Sequence, residues 1–142
     1  MTRYYIAGPR TGIPQFNFPL FHAAAAALRA AGHEIVSPAE QDSPAVQVAA
    51  MASTDGALDA DGKVAGETWG DILAKDVKLV ADGIDGIIFL PDWHLSRGAR
   101  LEAFVALLSG KHQFGYYVSG CADPIRWTST ESVRQIIREC MP

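Results

Sequence analysis

Apolar and polar positions along this 142-residue chain fall into two alternating periods. Arg3–Ala7 (RYYIA) is a run of aromatic and β-branched residues stopped by Gly8-Pro9, which predicts a buried first strand ending in a turn. Over Phe16–Ala31, Leu20, Ala24, Ala27, Leu28 and Ala31 recur at helical spacing, and Gly32 sits where a helix-ending glycine belongs. His33–Val36 reads as a short second strand closed by Ser37-Pro38. A helix over Glu67–Asp82 carries Trp69, Ile72, Leu73, Val77 and Val80 on one face. Gly86–Leu90 (GIIFL) is apolar almost throughout, as a central strand covered on both faces is. The pattern then predicts a helix over Gly98–Ser109 with Leu101, Val105 and Leu108 inward, and a strand over Phe114–Val118. A short fifth strand near Ile125–Trp127 and a closing helix over Ser129–Cys140, with Val133, Ile136 and Ile137 inward, complete it.

Between Gln41 and Gly66 the rhythm is lost. The segment is rich in Ala, Asp, Gly and Ser, and only a short helix around Val46–Met51 is suggested. The rest reads as a long excursion, mobile or partly exposed over Met51–Ala65, of the kind that serves as a lid. The order β-α-β-loop-α-β-α-β-β-α predicts a single α/β domain of Rossmann-like or flavodoxin-like type. Its four- to five-stranded parallel sheet would carry helices on both faces, joined by right-handed crossovers. Such sheets bind ligands beyond the carboxyl ends of their strands. Chemistry is therefore expected in Gly8–Gln15, Ser37–Gly66, Pro91–Gly98 and Ser119–Asp123.

Composition narrows the function classes. Hydrophobic residues make up 49%, enough for one packed core. Twelve Lys and Arg against sixteen Asp and Glu give a net charge of −4, which argues against nucleic-acid and membrane-surface partners. A small anionic ligand needs only a local arginine or a helix N-terminus and stays open. No apolar stretch reaches the roughly 18–20 residues of a membrane span. The chain opens directly on strand-like residues, and Cys121 and Cys140 form neither a metal nor a redox spacing, so a reducing cytoplasm is the expected compartment.

Candidate chemistry begins at Ser96-Arg97-Gly98-Ala99-Arg100-Leu101-Glu102, between the central strand and the next helix. Ser96 has the chemistry of an N-cap, Gly98 admits backbone close to a ligand, and Glu102 lies about one turn into the helix. On spacing alone Glu102 reads as an ordinary first-turn acid and Asp76 as a surface acid. Tyr4-Tyr5-Ile6-Ala7-Gly8-Pro9 can bring a phenol and the backbone N–H groups of a turn to the crevice. Arg10, Arg97 and Arg100 lie in or beside the crevice loops, where an arginine can meet a phosphate. No dinucleotide fingerprint, P-loop or nucleophile-elbow motif occurs. His22, His33, His94 and His112 are scattered, so neither metal nor cofactor is expected.

Three blocks together resemble the nucleoside 2-deoxyribosyltransferase superfamily, which includes the 2′-deoxynucleoside 5′-monophosphate N-hydrolases, and in particular short bacterial and phage members that open with a YIAGP-type strand. They are Tyr5-Ile6-Ala7-Gly8-Pro9, Asp76 with Asp85, and Ser96-x-Gly98-x-x-x-Glu102, and the likeness spans roughly Arg3 to Phe114. The resemblance implies an N-glycosidase or deoxyribosyltransferase without metal or cofactor, acting on a small nucleoside or nucleotide. It makes Glu102 the nucleophile at C1′ and Asp76 the group that orients the sugar or assists protonation of the base. Tyr5 would hold the nucleophile or sugar, and Ser96 with neighbouring backbone N–H groups would hold a 5′-hydroxyl or 5′-phosphate. It also implies a homo-oligomer. The competing expectation is a non-catalytic nucleotide-binding or sensor module on the same fold.

Overall fold

The computed structural model describes residues 2–141. Seven strands and six helices follow one another as β1 (Arg3–Ala7), α1 (Phe18–Ala30), β2 (Glu34–Val36), α2 (Pro38–Gln41), α3 (Pro44–Ala52), β3 (Lys63–Val64), β4 (Glu67–Thr68), α4 (Trp69–Asp82), β5 (Gly86–Phe89), α5 (Arg97–Leu108), β6 (Gln113–Tyr117), β7 (Ile125–Thr128) and α6 (Thr130–Cys140). The main sheet has five strands in the order β2-β1-β5-β6-β7. β1 pairs in parallel with β2 and β5, and β5 with β6. The chain is thus an α/β domain of the Rossmann-like or flavodoxin-like type, as its alternating pattern predicts. The expected fifth strand is present, but it runs antiparallel to β6, so the sheet is mixed at that edge. The reason is the connection: only seven residues separate β6 from β7, from Val118 to Pro124, too few for a parallel crossover.

Alternation along β1 sends successive side chains into two cores. Tyr4 and Ile6 join Phe18, Phe21, Leu28 and Ile88 beneath α1, while Tyr5 and Ala7 join Val80, Ile87, Phe89, Ala103 and Phe114 on the face covered by α4, α5 and α6. Among the described residues no helix is long and apolar enough to cross a membrane.

Two expectations are corrected. The first concerns α5, where Leu101, Val105 and Leu108 were expected inward. The buried face is instead Ala99, Glu102, Ala103 and Ala106, and Leu101, Phe104 and Leu108 are exposed. The sheet side of this interface is already filled by large rings: Trp93 stacks on Phe89 at 3.9 Å between centroids, with Phe114 beyond it. Only small side chains let the helix sit down on them.

The second concerns Gln41–Gly66, which holds more secondary structure than the one short helix its pattern suggests. Ser43 caps α3 by accepting from Val46 N, and α3 buries Val46 and Ala50. The antiparallel pair β3–β4 buries Val64. Most other side chains from Met51 to Ala65 face solvent, as the composition suggests. The backbone there is nonetheless tied to the β1–α1 loop: Gly12 N donates to Gly56 O and Gln15 N to Ser53 O, both at 2.9 Å, and Gln15 Nε2 to Met51 O. Gly56 has φ +67 and lies so close to the Ile13 backbone that no Cβ fits.

Candidate functional site

β1 and β5 are neighbours whose chains leave in opposite directions, β1 toward α1 on one face and β5 toward α5 on the other. That divergence opens a crevice at their carboxyl ends, the usual ligand position in open α/β sheets. Here it is a cleft of about 460 Å³, within the range of small-molecule sites. Gly8 and Pro9 form one end, and a Cβ on Gly8 would come within 2.8 Å of Leu90 Cβ, so the close approach of the two strand ends requires glycine. Three successive left-handed residues, Gln15, Phe16 and Asn17, fold the loop back over the cleft, held by Asn17 Nδ2 donating to Pro9 O. Phe16, Phe18, Val46, Ala50, Leu58 and Val64 make an apolar wall, four of them from the Gln41–Gly66 segment.

The opposite wall is the start of α5. Ser96 caps the helix, its Oγ accepting from Ala99 N, and Ser96, Arg97, Gly98 and Glu102 all border the cleft. Glu102 is only 5% exposed, and its Oε2 has no hydrogen-bond partner. Arg97 is exposed at the rim, its guanidinium 5.0 Å from the centre of the Trp69 ring. Arg100 turns away and donates to His94 O.

Tyr5 and Asp76 lie behind this wall rather than on it. Tyr5 is fully buried on the α4–α5 face, and its hydroxyl faces Glu102 without reaching hydrogen-bond geometry. Asp76 is 1% exposed, not the surface acid its helix position suggests by default. It accepts from Arg10 Nη2 at 2.5 Å, while Arg10 Nη1 donates to Asp42 Oδ2 at 3.1 Å. Asp42, 4% exposed, does border the cleft, and its Oδ1 stands 3.8 Å from Lys75 Nζ with no hydrogen-bond partner. Lys75 in turn binds Glu67, which also accepts from Ser43. Sequence reasoning missed Asp42. No motif surrounds it, and the only signal was its position just beyond the second strand, inside a segment marked for ligand contact.

These contacts set unusual protonation. Burial, and then the charge of Asp76, push the Glu102 carboxyl up to about 8. Burial pushes Asp76 up to about 6 against the pull of Arg10. Asp42 is also raised by burial, with Arg10 and Lys75 opposing. The Tyr5 phenol is raised well above its ordinary value by burial and by Glu102. Arg10 keeps its charge: burial works against it, but Asp76 and Asp42 outweigh that. Burial and mutual repulsion therefore make the Glu102–Asp76 pair hold a proton to higher pH than isolated carboxyls do. Strongly shifted groups in a cleft mark a candidate functional site. Among the described residues no three His, Cys, Asp or Glu side chains assemble as metal ligands.

A comparison with curated proteins finds no match. A family model described as a domain of unknown function (DUF4406) matches residues 2–114, a span that takes in both strands flanking the cleft and the whole of α5, and the chain belongs to that family.

Proposed function

We propose that the protein cleaves or exchanges the N-glycosidic bond of a small nucleoside or nucleoside 5′-monophosphate. The observation that carries the reading is Glu102: a buried carboxyl with one unpartnered oxygen, bordering a cleft at the junction of β1 and β5. Breaking an N-glycosidic bond develops positive charge at C1′, which a carboxylate beneath the sugar stabilises and then captures as a glycosyl ester. Water as acceptor gives hydrolysis, and a second base gives transfer. Glu102 acts as the anion, so kcat/KM rises with pH until the free enzyme's Glu102 is ionised, above about 8. Tyr5 and Asp76 support Glu102 from behind. Ser96, the Gly98 backbone and Arg97 take the sugar's 5′-substituent. The apolar wall suits a heterocyclic base. The resemblance in the strand-turn and Ser96–Glu102 blocks supports the same reading, together with a homo-oligomer. The free cysteines Cys121 and Cys140 fit a reducing cytoplasm.

A binding module without chemistry is the second reading. The observation that favours it is the burial of Glu102 beside Asp76, which pushes its carboxyl up to about 8, since a neutral carboxyl can simply donate to a bound ligand. Chromatography of free base from a panel of nucleosides and nucleotides separates the two. Release of base that Glu102→Ala lowers at least about 10³-fold supports catalysis. An active Glu102→Ala variant removes the mechanism. Binding without release by the wild type establishes the second reading.

A further inference from the structure

Resting on the glycosidic reading, we infer that Asp42 is a positioning residue: through Arg10 it governs when Glu102 ionises, and it never touches the substrate. The geometry of Arg10 carries this. A guanidinium commonly lays two parallel N–H groups on one carboxylate. Here the fork is split, with Nη1 donating to Asp42 Oδ2 at 3.1 Å and Nη2 to Asp76 Oδ2. Both carboxyls are enclosed, at 4% and 1% exposed. One cation therefore serves two buried anions and offsets neither fully.

Asp42 is held in that place from both sides. Its N–H donates to Pro38 O at the end of α2, and Gln47 Nε2, from α3, donates to its carbonyl at 2.7 Å. Its Oδ2 is committed to Arg10, and its Oδ1 is sealed from solvent, 3.8 Å from Lys75 Nζ. Lys75 is itself engaged with Glu67 at 2.9 Å, and Glu67 also accepts from Ser43. Asp42 thus has no oxygen to offer a ligand, and its influence runs through the charges it touches. Two cations, Arg10 and Lys75, face four carboxyls: Glu67, Asp42, Asp76 and Glu102.

Each element packed against Glu102 presents one titratable or charged group to it. β1 presents the Tyr5 phenol, α4 presents Asp76, and the β1–α1 loop presents Arg10. Arg10 is the cation in that set, so the field at Glu102 depends on how far Arg10 is drawn onto Asp76. Asp42 takes one of its two terminal nitrogens and leaves Asp76 with an excess of negative charge beside Glu102. An uncharged residue at position 42 removes that excess, and Glu102 then ionises more readily. A residue outside the reaction thereby sets the pH range in which the reacting carboxylate exists.

Carbon-13 NMR of glutamate-labelled protein follows Glu102 directly, its carboxyl resonance identified by its loss in Glu102→Gln. Asp42→Asn is expected to lower the Glu102 titration midpoint by about 0.5–1.5 pH units, less than the roughly 1–3 of a charge in direct contact, because the effect passes through Arg10. Asp42→Ser, checked by near-ultraviolet circular dichroism, is expected to do the same and guards against one replacement failing to fold. On 2′-deoxyadenosine and its 5′-monophosphate, the rise of kcat/KM with pH is expected to move down by the same interval, while its plateau changes less than about 10-fold. A Glu102 midpoint that stays or rises in both variants overturns the assignment. So does a plateau lowered by about 10²-fold or more, which would place Asp42 among the reacting groups. A wild type that releases adenine from neither compound, and no base from the wider panel, overturns the glycosidic reaction instead. The Glu102 resonance then decides by itself whether Asp42 governs that carboxyl.

Discussion

Replacing Glu102 by glutamine keeps shape and volume while removing an ionisation that the folded protein resists. The carboxyl is 5% exposed, lies beside Asp76, and is raised from the ordinary value of 4.5 to about 8. At about 1.4 kcal/mol for each tenfold change in an acid constant, that shift corresponds to roughly 4–5 kcal/mol. Part of it comes from the charge of Asp76, which titrates with Glu102, so the share that glutamine removes is about 2–5 kcal/mol. The sign follows from proton counting. Below about pH 4.5 the acid is protonated both folded and unfolded. Between about 4.5 and 8 the folded state holds a proton that the unfolded chain has lost, so stability falls as pH rises. Above about 8 the full cost of a buried anion is present. Urea unfolding of both proteins from pH 5 to pH 9 measures this directly. Near pH 5 the two are expected to differ by less than about 1 kcal/mol. At pH 9 Glu102→Gln is expected to be more stable by about 2–5 kcal/mol, a melting shift on the order of 10 °C. Groups common to both proteins cancel in the difference. Parallel stability curves, or a variant less stable than wild type at pH 9, would refute the claim that the site strains its own carboxylate.

The wall of the cleft and the outer face of α5 give two further expectations. Gly56→Ala places a Cβ against the Ile13 backbone at φ +67, so it is expected to cost about 1–3 kcal/mol and to speed hydrogen exchange at the Gly12 and Gln15 amides that bond to this segment; unchanged exchange would mean the segment is not pinned there. Leu101, Phe104 and Leu108 form an exposed apolar stripe at helical spacing, with Phe104 41% and Leu108 72% exposed. Phe104→Glu is expected to reduce the mass found by light scattering to that of one chain, and a wild type already monomeric at working concentration would remove the oligomer reading.

The fold was legible because its signals are redundant. β5 is a run of four buried residues, and such a run has few alternatives between a helix with Thr68 as cap and a turn at Pro91. The direction of β7 was not legible, since alternation in a strand is the same whichever way it runs. The inward face of α5 was misread for a related reason. The positions 101, 105, 108 and the positions 99, 102, 103, 106 are both helical stripes, and hydrophobicity favours the first. What decides between them is the volume left by Phe89, Trp93 and Phe114, which belong to other elements and meet only in the fold.

The same limit explains which parts of the site were hidden. Gly8 and Pro9 directly follow β1, and Ser96 and Gly98 fall in the segment after β5 that a sheet rule marks, whereas Glu102, a turn further into α5, was singled out by the resemblance. Asp76 and Asp42 are defined by contacts. One arginine bridges two aspartates that are 34 residues apart in sequence, at positions 42 and 76. No motif surrounds Asp42, and Asp76 was marked by the family resemblance rather than by its neighbours in sequence. Yet the charge arithmetic requires both. Arg10 borders the cleft, half-buried, and needs an anion. Asp76 alone would neutralise it and leave Glu102 facing a spent pair. Asp42 divides the guanidinium, so each aspartate keeps one oxygen without a hydrogen-bond partner and both are raised by burial. A half-buried cation shared between two carboxyls thus leaves unsatisfied acceptors on both sides, where one ion pair would have closed the site. Both of those oxygens are enclosed by the protein, so the strain they hold stays within the Arg10 cluster rather than at the cleft surface.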